Sequence, residues 1–129
     1  MAYVVLDTNI ASLSVKGELP ARLLGLSPVV AFVTVGELAK WADMRSWGQR
    51  RRGALDHWID QRLVLDSDEN VSRVWGRLSA AAERRGRPRP ENDTWIAACC
   101  VSHDLPLATR NVKDFSDFAS YEGLRLLAT

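Results

Sequence analysis

The sequence is poor in the residues that usually announce a metal-thiolate or disulfide protein. Two cysteines and two histidines occur in 129 residues. Cys99 and Cys100 are neighbours in an apolar stretch. Adjacent helical residues do not readily reach disulfide geometry, so both read as small core residues in a reducing compartment. His57 and His103 have no partner at ligand spacing and read as structural. His103 ends an apolar helix, where an imidazole can hydrogen-bond the last carbonyls. No stretch reaches the ~18 apolar residues of a membrane span. The chain enters a strand at once, without the basic region and cleavage site of a secreted protein. These absences predict a cytoplasmic location and no membrane partner. Repeats, low-complexity tracts and long linkers are also missing, so residues 1–129 read as a single domain.

An excess of either charge is missing too. Lys and Arg number 17 against 16 Asp and Glu, a formal net charge of +1. What matters for a polyanionic partner is then the distribution. Arg50, Arg51 and Arg52 form one basic run, and Arg84, Arg85, Arg87 and Arg89 another.

What is present is an alternation of short apolar runs with helical periodicity. Tyr3–Leu6 has the look of a strand buried on both faces, and Ile10 and Leu13 continue at helical spacing. Pro20 opens a short helix to Leu24. A second strand is expected over Val29–Val33. Thr34 then caps a helix, with Glu37 completing the capping-box pattern T-x-x-E. That helix turns Val35, Leu38, Ala39 and Ala42 inward. Leu55, Trp58 and Ile59 mark another helix and Leu63–Leu65 a third strand. Val71, Val74, Trp75, Leu78 and Ala82 make the clearest apolar stripe. The stretch Glu91–Phe115 supplies an acidic helix start at Asn92-Asp93-Thr94, an apolar helix, the strand Leu107–Thr109 and a polar turn. Leu124–Leu127 is expected at a sheet edge. Strands alternating with helices predict an α/β fold, a three-layer α/β/α sandwich with a central, mainly parallel sheet. Sites in such sheets form at the carboxyl ends of strands, where Asp7 and the turn after Thr109 lie.

Taken singly, the acidic residues have ordinary explanations. Asp7 and Asp93 suit helix N-caps, worth about 1 kcal/mol each. Glu37 suits the capping box, and Asp114 a solvated turn. Jointly, Asp7, Glu37, Asp93 and Asp114 would repel by roughly 4 kcal/mol per pair at ~4 Å. A cluster of that kind persists when cations neutralise it. An all-oxygen set favours Mg²⁺ or Mn²⁺ over zinc, and a carboxylate-held ion keeps waters that can attack a phosphodiester.

Leu6-Asp7-Thr8-Asn9, Glu37-Leu38, Asn92-Asp93-x-Trp95-Ile96-Ala97-Ala98 and Thr109-x-Asn111-x-x-Asp114-Phe115 resemble the PIN-domain ribonucleases. Within them the chain looks like the VapC toxins of bacterial toxin–antitoxin pairs. The resemblance spans essentially the whole length and is most specific from Asn92 to Phe115. It implies an α/β/α sandwich and a Mg²⁺- or Mn²⁺-dependent endoribonuclease. Asp7, Glu37 and Asp93 fall on the core acidic positions and Asp114 on a more variable fourth. All four are expected in catalysis and metal binding, with Thr8, Asn92, Thr109 and Asn111 as polar supporters. RNA is the implied substrate, a VapB-type antitoxin the implied partner, and a homodimer the common state. Arg84, Arg85, Arg87 and Arg89 lead into the acidic helix start and are expected to meet RNA. Arg45, Arg50, Arg51 and Arg52, interleaved with Trp41 and Trp47, are a second basic and aromatic group.

Other α/β chemistries fit less well. A haloacid-dehalogenase-type phosphotransferase wants an acid two residues after Asp7, where Asn9 stands. A receiver domain needs an acidic pair near strand one, and a nucleotide-binding fold needs glycine in the first strand–helix turn. The competing reading is a non-catalytic, protein-binding α/β module whose acids cap helices.

Overall fold

The computed structural model describes residues 2–129. Five strands form one sheet in the order β3-β2-β1-β4-β5, with every neighbouring pair parallel. They are β1 (Tyr3–Leu6), β2 (Ser27–Ala31), β3 (Leu63–Leu65), β4 (Leu107–Thr109) and β5 (Leu126–Ala128). The helices are α1 (Thr8–Val15), α2 (Phe32–Met44), α3 (Gln49–Asp60), α4 (Glu69–Arg84), α5 (Glu91–His103) and α6 (Val112–Tyr121). A 3₁₀ turn at Ala21–Leu23 stands where the Pro20 helix is expected.

Alternation along each strand divides the core in two. Val4, Leu6, Val30 and Ala108 face one layer, where Ile10, Leu38, Ala42, Leu55 and Trp58 of α1, α2 and α3 cover them. Val5, Val29, Ala31 and Leu107 face the other, against Leu78, the apolar residues of α5, Phe115 and Phe118. The α4 stripe is buried at Val71, Leu78 and Ala82, as its spacing predicts. Full burial of each larger aliphatic side chain contributes about 1.5–3 kcal/mol. This is the three-layer α/β/α sandwich expected, and the sheet is wholly parallel.

The local differences fall at element ends. β2 stops at Ala31 rather than Val33, and Phe32 and Val33 already belong to α2. Ala31 is the N-cap of α2, so Thr34 is an interior residue and there is no capping box. A continuous apolar run does not reveal where strand gives way to helix. Helix α5 likewise starts one residue before Asn92, at Glu91, with Pro90 as N-cap. Thr94 Oγ1 donates to the Pro90 carbonyl at 2.9 Å. The last strand is Leu126–Ala128, shifted from Leu124–Leu127, while Leu124 packs in the core. His103 is exposed and, among the described residues, makes no hydrogen bond to the carbonyls at the end of α5; Asp104, in the left-handed region at φ 53°, closes that helix.

The sheet order reverses direction between β1 and β4. Chain growth runs outward through β2 and β3 on one side and through β4 and β5 on the other. A crevice forms at this switch, above the strand ends. β1 delivers Asp7 there and β4 delivers Thr109.

Candidate active site

Asp7 is buried, with 5% of its surface exposed, and its carboxylate is held at both oxygens. Oδ1 accepts from the Thr8 backbone N–H at 2.8 Å, capping α1. Oδ2 accepts from Thr109 Oγ1 at 2.8 Å. The β1–β4 register sets this up. Leu6 pairs with Ala108, and the Asp7 N–H donates to the Ala108 carbonyl at 3.0 Å. Thr109 Oγ1 also accepts from the Asn111 N–H at 2.9 Å, which fixes the start of the β4–α6 turn. Asp7 is therefore a helix cap and also the centre of a buried polar network.

Glu37 is drawn in through the next residue. Thr8 Oγ1 donates to Glu37 Oε1 at 2.7 Å and lies 3.1 Å from Thr34 Oγ1. The threonine read as a cap is thus a fully buried member of the site network, one that its local sequence does not reveal. Asp93 lies in the first turn of α5, and Asp114 in the first turn of α6. Capping explains neither Glu37 nor Asp93.

Electrostatics show that the four acids share one region. The Asp93 carboxyl is pushed up to about 6, first by burial and then by the charges of Asp7, Asp114 and Glu37. Arg89 opposes this shift. Asp7 is raised as well, chiefly by burial against the lowering pull of Thr109 and Thr8, with Asp114 adding repulsion. Among the described residues, however, no group of three or more acids, histidines or cysteines stands close enough together to hold a metal ion as placed. The four carboxylates lie close enough to repel and are not drawn onto a common point. Asp7 and Asp93, both raised first by burial and then by neighbouring acid charge, suit a hard divalent cation, and an oxygen-only donor set suits Mg²⁺ or Mn²⁺.

The remaining supporters differ in standing. Thr8 and Thr109 are buried and bonded, and Asn111 contributes its backbone N–H. Asn92 is exposed and lines a cleft with Phe32, Val33, Gly36, Glu37 and Lys40. Trp95 stacks on Trp75 at 4.9 Å between centroids and meets Phe32 edge-on at 5.5 Å. That aromatic group anchors the turn of α5 carrying Asp93.

The basic run after α4 is largely committed to α6. Arg87 Nε donates to Asp117 Oδ2 at 2.8 Å. Arg89 Nη2 lies 3.7 Å from Asp114, and Arg85 Nη1 3.9 Å from Glu122, ion pairs too long for hydrogen bonds. The Arg85 guanidinium also sits 4.7 Å from the Tyr121 ring centroid. Arg84 is exposed at the end of α4. In the second basic group, Arg52 is structural, bonded to the Trp47 and Ala42 carbonyls and to Asp43. Arg51 lies 3.8 Å above the Trp47 ring, and Arg45 lies 4.8 Å from that of Trp41.

An all-parallel α/β/α sandwich with this strand order and Asp7 at its switch point is a PIN-like domain. No protein-family model matches the chain. Curated relatives do. Ribonuclease VapC1 of Haemophilus influenzae (strain R2866) is 31% identical over 122 residues, covering 89% of this chain and 90% of that protein. Ribonuclease VapC5 of Mycobacterium tuberculosis is 31% identical over 126 residues, covering 92% and 87%. Among solved structures, VapBC-1 of nontypeable Haemophilus influenzae superposes with a TM-score of 0.75 at 25% identity, covering 99% of this chain and 98% of that one. DNA-bound VapBC of Salmonella typhimurium reaches 0.83 at 24% identity, with 99% and 98% covered. The chain belongs to the VapC ribonuclease family.

Proposed function

We propose that this protein is the toxin of a VapBC-type pair, an endoribonuclease that hydrolyses RNA phosphodiester bonds with Mg²⁺ or Mn²⁺ in the cytoplasm. The observation that carries the reading is the setting of Asp93, a half-buried carboxyl raised to about 6 first by burial and then by the charges of Asp7, Asp114 and Glu37. Without a counter-cation such an arrangement is only a cost to the fold.

The residues divide the work by position. Asp7 and Asp93 would hold the principal ion and Asp114 would help complete the site. A bound divalent ion supplies an activated water and stabilises charge on the attacking and leaving oxygens. Glu37, oriented by Thr8, accepts the proton of the attacking water. Thr109 keeps Asp7 in one rotamer, so no ordering cost falls on the reaction. Arg84, exposed and without an acidic partner among the described residues, is the member of the basic run proposed to meet the RNA backbone. Arg85, Arg87 and Arg89 are held by α6, and Arg89 also tempers the acid cluster.

The relatives support the partner assignment. Solved VapBC and FitAB assemblies adopt this fold, and a VapB-type antitoxin is the partner proposed here. A homodimer is proposed with it. Size-exclusion light scattering that gives only a monomer overturns the dimer.

The decisive test is cleavage of a mixed RNA pool by the partner-free protein, with Mg²⁺ and with chelator, beside folded Asp93→Asn. Cleavage that requires both the metal and Asp93 is expected. Equal cleavage by the two proteins, or none by either across diverse RNAs, overturns the reading.

A further inference from the structure

Three cations without carboxylate partners among the described residues, Lys16, Arg45 and Arg110, line one cleft of about 340 Å³ together with Asn9, Ser12, Trp41 and their neighbours. Lys16 comes from the end of α1, Trp41 and Arg45 from α2, and Arg110 from the β4–α6 turn. Among the described residues none of these three cations has an acidic partner, whereas Arg52, Arg73, Arg85, Arg87, Arg89 and Arg125 all do. No acid lines the cleft. Three uncompensated cations around one aromatic wall cost self-repulsion, which a polyanion relieves.

The cleft also adjoins the reacting centre. Asn9 stands two residues after Asp7. Asn111 is bonded through its N–H to the threonine that holds Asp7. Glu37 lines the opposite cleft and reaches Asp7 through Thr8. A strand of nucleic acid crossing the acids would leave the site along Lys16, Arg45 and Arg110.

Resting on the nuclease reading, we propose that this cleft is an RNA subsite seating an unpaired nucleotide next to the scissile bond. Lys16, Arg45 and Arg110 take its phosphates and Trp41 packs its base. Guanidinium groups bind phosphate in paired hydrogen bonds, and an indole stacks on any base, so the seat favours single-stranded RNA.

The test is fluorescence anisotropy of a short, labelled, mixed-sequence single-stranded RNA in chelator, over a salt series, with cleavage measured in parallel. Arg45→Gln/Arg110→Gln is expected to weaken binding roughly tenfold and to lower the salt slope by about 1.4, the share of two phosphate contacts on a single strand. Trp41→Leu is expected to weaken binding with the slope unchanged, because stacking releases no counterion. Both should raise KM more than they lower kcat. The exposed Arg73→Gln is the control for bulk charge. If wild type binds and cleaves while the double variant matches Arg73→Gln, the subsite is overturned and the nuclease stands. Wild type that neither binds nor cleaves overturns both. Unchanged RNA affinity with lost binding of a polyglutamate peptide reassigns the cleft to an acidic protein partner and overturns the proposal.

Discussion

Thr109 donates its hydroxyl to Asp7 Oδ2 at 2.8 Å across 102 positions of sequence, and both residues are buried. Thr109 Oγ1 also accepts from the Asn111 N–H, so one hydroxyl ties the centre of the sheet to the turn leading into α6. Thr109→Val keeps the shape and removes the hydroxyl. Two polar groups lose a partner in a buried setting, and a loss of about 2–3 kcal/mol follows. Urea unfolding reads the stability and RNA cleavage the activity, and both should fall. Thr109→Ser should recover most of each. A valine variant with wild-type cleavage would remove Thr109 from any positioning role.

Asp93 makes metal-free stability depend on pH in an unusual direction. Its carboxyl rises from 3.8 to about 6 on folding. The native state therefore holds a proton that the unfolded state releases. This contribution is fully present below about 3.8 and is lost as pH rises through about 6. Asp7 is shifted in the same direction and adds to it. In chelator the melting temperature should fall between about pH 5 and about pH 7.5, and Mg²⁺ should restore it most at the higher pH. Asp93→Asn should flatten the profile. A melting temperature that climbs over this range, with the asparagine variant unchanged, would contradict the assignment.

Arg89 competes with an incoming cation for the same acids. It lies 3.7 Å from Asp114 and opposes the rise in the Asp93 carboxyl. Replacement by Gln makes the site more negative by one charge. Tighter divalent binding is expected, by roughly 1 kcal/mol or about fivefold after screening. Titration calorimetry with Mn²⁺ on the partner-free protein would read it. Weaker binding would mean that Arg89 orders the acids more than it neutralises them.

Trp75 offers a stability test independent of chemistry. Its ring stacks on Trp95 at 4.9 Å, yet its buried indole N–H has no partner. Trp75→Phe keeps most of the packing and deletes the orphan donor, so the change should stay within about 1 kcal/mol. Trp75→Ala should cost about 3–5 kcal/mol. Chemical denaturation of the pair distinguishes packing from polarity, and equal losses would rule out the orphan-donor account.

The strands and the α4 stripe were legible because burial on both sheet faces and on one helix face leaves periodic marks. The acids were legible as a set, since their positions at strand ends and helix starts follow from the α/β alternation. Thr34 was not. Its T-x-x-E spacing to Glu37 imitates a cap, and only the hidden strand–helix boundary at Ala31 shows it facing Thr8. The arginine run was equally opaque. Its partners Asp114, Asp117 and Glu122 are far along the chain, and sequence spacing carries no record of such pairs. Lys16 and Arg110 pass unnoticed for the same reason: each is solitary in sequence, and they meet only where α1 approaches the β4–α6 turn.

The place of β1 in the sheet also governs when activity can first arise. β2, which pairs with one edge of β1, follows it closely in the chain, but the strand that covers the other edge of β1, Leu107–Thr109, is made far later. Asp93 and Asp114 dock with that same late portion. On the proposed assignment of Asp93 and Asp114, a ribosome that has made most of the chain has not yet completed the site. The interval required to complete and dock the last strands is built into the order of the polypeptide.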